Sequence, residues 1–523
     1  MYIAPNSTIK LLKNVPLDAS YDHTVYFSSK TQQRNWFEGY IKPGMVFEKQ
    51  YYQRHSRDYI KLEVLADNVY DCNYIMFRNT SYGTKWFYAF ITNVEYVNNN
   101  VTLIQYQIDA MQTWHFDYTL GECFVEREHS ASDAIGENLV PENVATGDYW
   151  TEKLGNVEGL EDLSIVLFCT VDENYHNIDG VFREGIFSGL YPVTFPCTTA
   201  GSAQAVSWIQ NLPILKIDAI KCACIMPTTF AEVNIVAEAA EFTKKTTLNR
   251  TDGLGGYEEV KNNKLLTYPY NFLYVTNNEG KCAIYPYEYF ESSTCMFELF
   301  GDYTPNPQVI MYPLLYKGSS QNEDESIQLG GYPQIAFDVD SFKAWLAQSA
   351  SAIGIAALGA VNHGIASFPI PLNGGETTIG EVSPTISNLA SLNSPARAIG
   401  LALSGTAAIM MPPQARGSQS SAVKIPAGMM NFTFYRKFIR PEFAAIIDDY
   451  FSMFGYATRR LKIPNTAVRT CWTYTKTIGC NMTKCNVPAD DAKLICSLYD
   501  RGITFWMSTA TVGDYSQSNN VLI

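Results

Sequence analysis

Charge is scarce in this sequence. Asp, Glu, Lys and Arg make up 17% of the 523 residues, against about a quarter in an average globular chain. Histidine is scarcer still, with His23, His55, His115, His129, His176 and His363 the full set of six. The twelve cysteines are spread too thinly for a disulfide scaffold. Cys222-Ala223-Cys224 and Cys480 with Cys485 are the closest pairs, and neither has a CxxC partner or a His at metal spacing. Structural zinc is therefore not expected, nor any other metal or cofactor, and the thiols read as small buried hydrophobes made in a reducing cytoplasm. GxSxG, HExxH, a P-loop and a GxGxxG at a strand–helix junction are all missing. No repeat of 20–50 residues is visible, which argues against a solenoid, propeller or repetitive fibre. The start, MYIAPNSTIKLLKNVPL, lacks the apolar core of a signal peptide, so no secretion is expected.

The charge that is present is unbalanced. Thirty-eight basic and 52 acidic residues give a formal net charge of −14. A static grip on nucleic acid wants the opposite sign, whereas a conduit through which DNA slides is served by an acidic lining. A merely solvated surface is the plainer account of the same number. Glu126-Arg127-Glu128-His129 gathers two acids and a histidine. Strand alternation puts Glu126 and Glu128 on one face and His129 on the other, so the group reads as a charged strand end, not an acid/base pair. Asn322-Glu323-Asp324-Glu325 lacks calcium-loop spacing and reads as a solvated loop.

What is abundant is aromatic and apolar. Tyr and Phe number 34 and 28, and hydrophobic residues reach 46%, a composition that favours pleated sheet and a large core. Residues 1–130 read as strands. Trp86 to Tyr96 is a long aromatic strand expected to show Trp86, Tyr88, Phe90, Val94 and Tyr96 on one face. Asn98-Asn99-Asn100 is its turn, and Thr102, Ile104, Tyr106 and Ile108 alternate on the returning strand. Residues 131–340 are less regular. Ser164–Thr170 is a buried strand, and Leu265–Thr276 and Cys282–Tyr289 are further expected strands. Residues 431–523 read as α+β: a strand around Phe432, Phe434 and Phe438, and a helix opened by Pro441 and capped by Gly455. That helix carries Phe443, Ile446, Ile447, Tyr450, Phe451 and Phe454 as its apolar stripe. A strand Cys471–Cys480, a helix Asp490–Arg501 and a strand Ile503–Met507 complete the segment.

Between these parts lies 341–430. The run LAQSASAIGIAALGAVNHGIASFPIPLNGG, Leu346 to Gly375, has no Asp, Glu, Lys or Arg. Between Ala344 and Val423 the only full charges are Glu376, Glu381, Arg397 and Arg416. A membrane helix needs about 20 predominantly apolar residues. The apolar core Ala350–Val361 falls short, and Asn362, His363 and Pro369 interrupt its continuation. Gly and Ser make it a poor core helix, and its Ile and Leu make it a poor disordered linker. Left in water on a monomer it would be an aggregation hazard. The reading that fits is a conditional one: sheltered inside a ring, then released into a bilayer. The candidate membrane-active residues are Ile353, Ile355, Leu358, Val361, Ile365, Phe368, Ile370 and Leu372, followed by Ile399, Leu401, Leu403, Ile409, Met410 and Met411 in a second patch.

The run YIMFRNTSYGTKWFYAFITNVEY, Tyr74 to Tyr96, then QIDAMQTWHFDY, Gln107 to Tyr118, FVEREH, Phe124 to His129, and the late RGITFWM, Arg501 to Met507, resemble the tail knob proteins of the small short-tailed phages with protein-primed DNA replication, the Picovirinae type. The resemblance covers about 60 residues near the N-terminus and a few tens near the C-terminus. It implies a non-enzymatic virion protein of the distal tail, made in the host cytoplasm. The implied fold is α+β and β-rich: a β-barrel-like tail-tube domain built from N- and C-terminal segments, with a knob insertion and a long apolar loop. The implied partners are five further copies in a homohexamer, other tail proteins of the collar or upper tube, phage DNA in the lumen, and the host cell membrane. The implied role of the apolar segment is to plug the tube and then to form a membrane pore for genome ejection. At about 25 cal/mol per Å², roughly 300 Å² of apolar burial per copy contributes several kcal/mol, multiplied over a ring. A cell-wall-degrading tail enzyme and a receptor-binding tail protein are the alternatives. The first needs a carboxylate pair or metal site in 131–340, and the second is more often trimeric and repetitive.

Overall fold

A computed structural model describes residues 6–50, 58–80, 83–160, 162–178, 181–183, 186–188, 191–196, 199–213, 216, 219–228, 241–251, 253–278, 280–302, 309–329, 334–335, 369–372, 375–378 and 431–522. The chain packs as two units. One comprises Met1–Gly147, Gly253–Leu266 and Arg440–Ile523; the other comprises Asp148–Asp252 and Thr267–Ile439.

In the first unit the continuous apolar run Tyr74-Ile75-Met76-Phe77 signals a strand buried on both faces, and all four residues are buried. It lies in a six-stranded antiparallel sheet, ordered Ile41–Gln50, Ser7–Leu12, Tyr74–Asn79, Phe87–Asn98, Val101–Ile108, Tyr59–Leu62. Ile75 and Phe77 face a core with Ile9, Leu11, Ile60 and Ile104. Tyr74 and Met76 face another, shared with Val25, Trp472, Leu498, Phe505 and Trp506. That second core joins the two ends of the chain. A five-stranded sheet runs His23–Val25, Ile503–Trp506, Trp472–Ile478, Cys123–Glu128, Tyr456–Lys462, with the first pair parallel and the rest antiparallel. The sheet-rich α+β architecture expected from the composition is the one observed.

The long hairpin has its turn where the Asn cluster put it, but its faces change along its length. A bulge lies between Ile91 and Asn93, which oppose Tyr106 and Gln105. The extra residue, Thr92, turns the pleat over. Tyr88 and Phe90 therefore face the core of the two chain ends, while Ile91 and Val94 join Ile104 and Tyr106 on the other side. Val94 does not share a face with Tyr88 and Phe90, and Tyr96 ends 56% exposed.

Helix Pro441–Phe454 starts with Pro at its first turn and ends at Gly455 with φ +63°, as the sequence led one to expect. Its buried residues are Ala444, Ile447, Asp448 and Phe451, and Ile446 is left 67% exposed, so Ile446 does not belong to the stripe. The buried Asp448 carboxylate accepts from Tyr257 Oη, Lys261 N and Asn262 Nδ2, each at 2.8 Å, which ties 253–266 into this unit. Helix Ala489–Arg501 has Asp490 and Asp491 in its first turn, where the helix dipole favours acids.

In the second unit, Leu163–Cys169 is the buried strand expected there, flanked by Tyr191–Pro196 and Ile220–Pro227, with Gln334–Ile335 beyond. Helix Thr199–Gln210 contributes Ala205, Trp208 and Ile209 to the same core. A five-stranded sheet contains Glu241–Asn249, Thr294–Asp302 and Val309–Tyr316. A four-stranded one runs Tyr149–Asn156, Thr433–Ile439, Asn271–Thr276, Cys282–Tyr285. Two expected strands are shorter than their apolar runs. Residues Asn263–Leu266 form a 3-10 turn, and the strand begins only at Asn271, beyond Pro269, which has no N–H to give a ladder. Cys282–Tyr285 stops at Pro286, and Tyr287–Tyr289 turn again.

Candidate functional site: the apolar insert and its anchors

Most of the candidate residues, namely Ile353, Ile355, Leu358, Val361, Ile365, Phe368, Ile399, Leu401, Leu403, Ile409, Met410 and Met411, lie outside the described residues. Ile370 and Leu372 sit on a short strand, Pro369–Leu372, paired antiparallel with Gly375–Thr378. In that register Ile370 is opposite Thr377 and Leu372 is opposite Gly375. Pro369 and Pro371 alternate with them and can donate nothing to a ladder, so this strand is suited to an edge or a solitary hairpin.

On either side of the insert, described residues pair in sheets. On the entering side, Gln334 and Ile335 pair with Cys224 and Ala223 at the margin of a sheet. On the returning side, the chain drops at once into the interior. Asn431 is 4% exposed and Phe432 is fully buried. The Asn431 carboxamide accepts from Val157 N at 3.1 Å and donates to Val157 O at 2.9 Å. Asn278 Nδ2 donates to Asn431 O at 2.8 Å and to Thr433 Oγ1 at 3.0 Å. Phe434 packs tilted on Phe297 at 5.4 Å. Farther along the same central strand, Arg436 is buried and donates Nε to Asn271 Oδ1 at 2.9 Å. Its guanidinium lies 4.7 Å from the Phe438 ring centre. Sequence reading found the strand but not these anchors. An Arg inside FTFYRKF, whose neighbours at alternate positions are aromatic, was the available signal.

The Glu126–His129 group holds no catalytic pair. A bulge between Lys476 and Thr477 takes up Glu126, so Glu126 and Glu128 do not share a face as simple alternation predicts. Glu128 is buried, paired with Lys462, and accepts from Asn465 N at 2.8 Å. Glu126 points outward to Lys476 Nζ at 2.8 Å. His129 is buried, accepts from Tyr474 N at 2.8 Å, and is held neutral, its pKa pushed down to about 3 by burial and then by the Arg469 charge. Among the described residues no group of three or more His, Cys, Asp or Glu could hold a metal ion. No described helix is long and apolar enough to cross a membrane.

Comparison with known proteins decides the family. The family model for the C-terminal domain of the tail knob protein gp9 of Bacillus phage phi29 matches residues 238–520, more than half of the 523. This chain belongs to the phage tail knob family. A second model, the caudoviral major tail protein N-terminus, matches residues 5–119. The tail knob protein gp9 of phage phi29 is 23% identical, with 98% of each chain covered. That of Bacillus phage PZA is 24% identical over the same shares. Among solved structures, the tail knob protein gp12 of bacteriophage C1 matches with a TM-score of 0.63 at 14% identity, covering 99% of this chain and all of that one; it speaks to the fold alone. The tail knob protein is a structural component of the virion tail and not an enzyme. The phi29 family model runs through the apolar insert and both its flanks.

Proposed function

We propose that this tail knob protein forms a homohexameric tube at the distal end of the tail, that residues 341–430 plug its lumen, and that on infection they enter the host membrane as a pore for the genome. In this reading 1–130 and 431–523 build the tube wall, 131–340 is the knob, and collar or upper-tube proteins adjoin it. The observation that carries it is the pairing of a nearly uncharged insert with a returning flank fixed in a sheet. A segment returned to a sheet through Asn431 and Phe432 can change its own surroundings without unravelling the unit that holds it. The net charge of −14 supports passage of DNA without adhesion, because like charge disfavours a static grip.

A feature of the first unit supports assembly in a ring. Leu461 and Ile478 each stand opposite Phe124, on the strands to either side of it. Directly opposed residues share a face, so the three make one apolar row. Leu461 is 74% and Ile478 57% exposed. A sister copy is the occupant that a closed, symmetric ring supplies for such a row.

Two measurements test the reading. Native mass spectrometry of the wild-type protein should give a hexamer, and a stable monomer or trimer sinks the ring. The triple variant Ile353→Asp, Leu358→Asp, Ile365→Asp should assemble normally yet release no dye from anionic liposomes. Undiminished leakage from it would remove the membrane role from the insert.

A further inference from the structure

Cys480 and Cys496 are far apart in their local settings but meet in space. Cys480 follows the strand Trp472–Ile478, in the turn opened by Gly479 at φ +68°. Cys496 lies on the helix Ala489–Arg501. The two thiols are near enough to influence each other's titration. A second contact fixes the same meeting. Asp500 Oδ1 accepts from Thr477 Oγ1 at 2.7 Å and from Cys480 N at 2.9 Å. Cys496 and Asp500 are four residues apart, hence neighbours on one helix face, so a single face of the helix holds both ends of the turn. Cys123 is buried nearby. These thiols are not a metal site, since no described cluster has that geometry. Cys480 and Cys496 are both free and half-buried, so a small oxidant can reach them.

We propose that Cys480 and Cys496 are a latent disulfide, left open in the reducing cytoplasm and closed once the virion is outside the cell, where it staples the 489–501 helix to the 472–478 strand. Disulfides persist in extracellular surroundings and not in the cytosol, and a virion protein passes from one to the other. The step joins two sulfurs with loss of two protons and two electrons. Dioxygen takes them up as hydrogen peroxide. A small disulfide such as oxidised glutathione takes them up as two thiols, through a mixed disulfide that the second thiolate resolves. With the Cys480 backbone held by Asp500, one turn from Cys496 on the same helix face, closing to a bond of about 2.05 Å asks for side-chain rotation and not a new fold. Burial raises both thiols above the ordinary cysteine value. Thiolate is therefore rare at neutral pH, which keeps the pair open during assembly and makes closure faster in alkali.

Trypsin separates the relevant thiols. Cys480 falls in Thr477–Lys484, Cys485 in Cys485–Lys493, Cys496 in Leu494–Arg501 and Cys123 in Trp86–Arg127. Full-length protein purified under reduction is equilibrated with oxidised glutathione at pH 7 and pH 9, blocked with N-ethylmaleimide and digested without reductant. The expected result is a linked 477–484/494–501 pair, formed faster at pH 9, with Cys123 and Cys485 alkylated. The melting midpoint should rise by several degrees and fall back with dithiothreitol. Cys496→Ser and, separately, Cys480→Ala should remove the link and the reversible rise while leaving the reduced midpoint near wild type. Linkage of Cys480 to Cys123 or Cys485 overturns the proposal. So does persistence of both thiols in alkylated form, or a midpoint that oxidation leaves unchanged or lowers.

Discussion

The Asn431 carboxamide pairs with both backbone groups of Val157, accepting from its N–H at 3.1 Å and donating to its C=O at 2.9 Å. A side chain here does what a neighbouring strand would do, at the residue where the apolar insert rejoins a sheet. Leu has nearly the same volume but neither polar group. Asn431→Leu should leave the buried Val157 carbonyl unpaired, costing about 2 kcal/mol. Hydrogen exchange by mass spectrometry should register faster exchange over 431–436, with exchange over 472–478 unchanged. Equal protection in both variants would mean the return of the insert is held by its aromatic residues alone.

Gly455 closes helix Pro441–Phe454 at φ +63°, and a Cβ there would fall 2.2 Å from the Glu128 carbonyl oxygen and 2.5 Å from His129 N. Those are backbone atoms of a central strand and cannot step aside. Gly479 has a similar φ of +68° with nothing near its missing Cβ. Gly479→Ala should cost only the conformational strain, about 1 kcal/mol. Gly455→Ala adds the clash and should cost roughly 3 kcal/mol or more. Paired urea titrations check the order, and equal losses would show that the strand can yield.

Glu142 is a hub with two cations on it, of which Lys264 is buried. Its carboxylate pairs with Arg127 and with Lys264 and accepts from Ala457 N at 2.9 Å. The carboxylate is 1% exposed and the Lys264 side chain 4%. Desolvation pulls the Lys264 pKa down despite that partner, so the cation depends on Glu142. Glu142→Gln should destabilise by about 3–5 kcal/mol, since it strands a buried charge. Adding Lys264→Met should recover part of that loss, because a hydrophobic stem then replaces an ammonium that has lost its counter-charge and keeps the Val140 carbonyl at 2.7 Å. A double variant less stable than the single one would place the dominant dependence on Arg127.

Much of this fold is readable along the chain, for reasons that end where distance begins. Asn98-Asn99-Asn100, Pro441 and Gly455 act within a few residues, and each lies where local chemistry puts it. Tyr74-Ile75-Met76-Phe77 announces a strand covered on both sides. The bulges at Thr92 and Glu126 are different, because a bulge exists only against a partner strand that the sequence does not identify. Each turns over the faces that alternation assigns, which is why Val94 and Glu128 were misplaced. The joining of His23–Val25 to Ile503–Trp506 is likewise a pairing across nearly the whole chain. Low charge makes the insert stand out. Its anchors do not stand out, because Asn278 and Asn431 look like ordinary turn residues until Val157 and Thr433 are beside them.

Two buried groups of the first unit give opposite responses to acid. His129 is held neutral with its pKa at about 3, against about 6.5 in an unfolded chain. Below pH 6.5 the unfolded state binds a proton that the folded state refuses, so this stabilisation is present above 6.5 and is lost as the pH falls toward 3. Asp109 is fully buried, and burial raises its pKa to about 6, although it accepts from Gln112 N at 3.0 Å and Tyr74 Oη at 2.8 Å. Its unfolded value is about 3.9, so between 6 and 4 the folded state takes the proton first and stability rises as the pH falls. Each pH unit of such a window is worth about 1.4 kcal/mol. His129→Gln keeps one donor and one acceptor while deleting the titration. Relative to wild type, its urea midpoint should improve steadily from pH 6.5 to 4.5. Asp109→Asn should do the reverse, losing ground against wild type from pH 6 to 4.5. Parallel midpoint curves for all three proteins would mean that water or a local opening reaches both groups, and that neither is buried in solution.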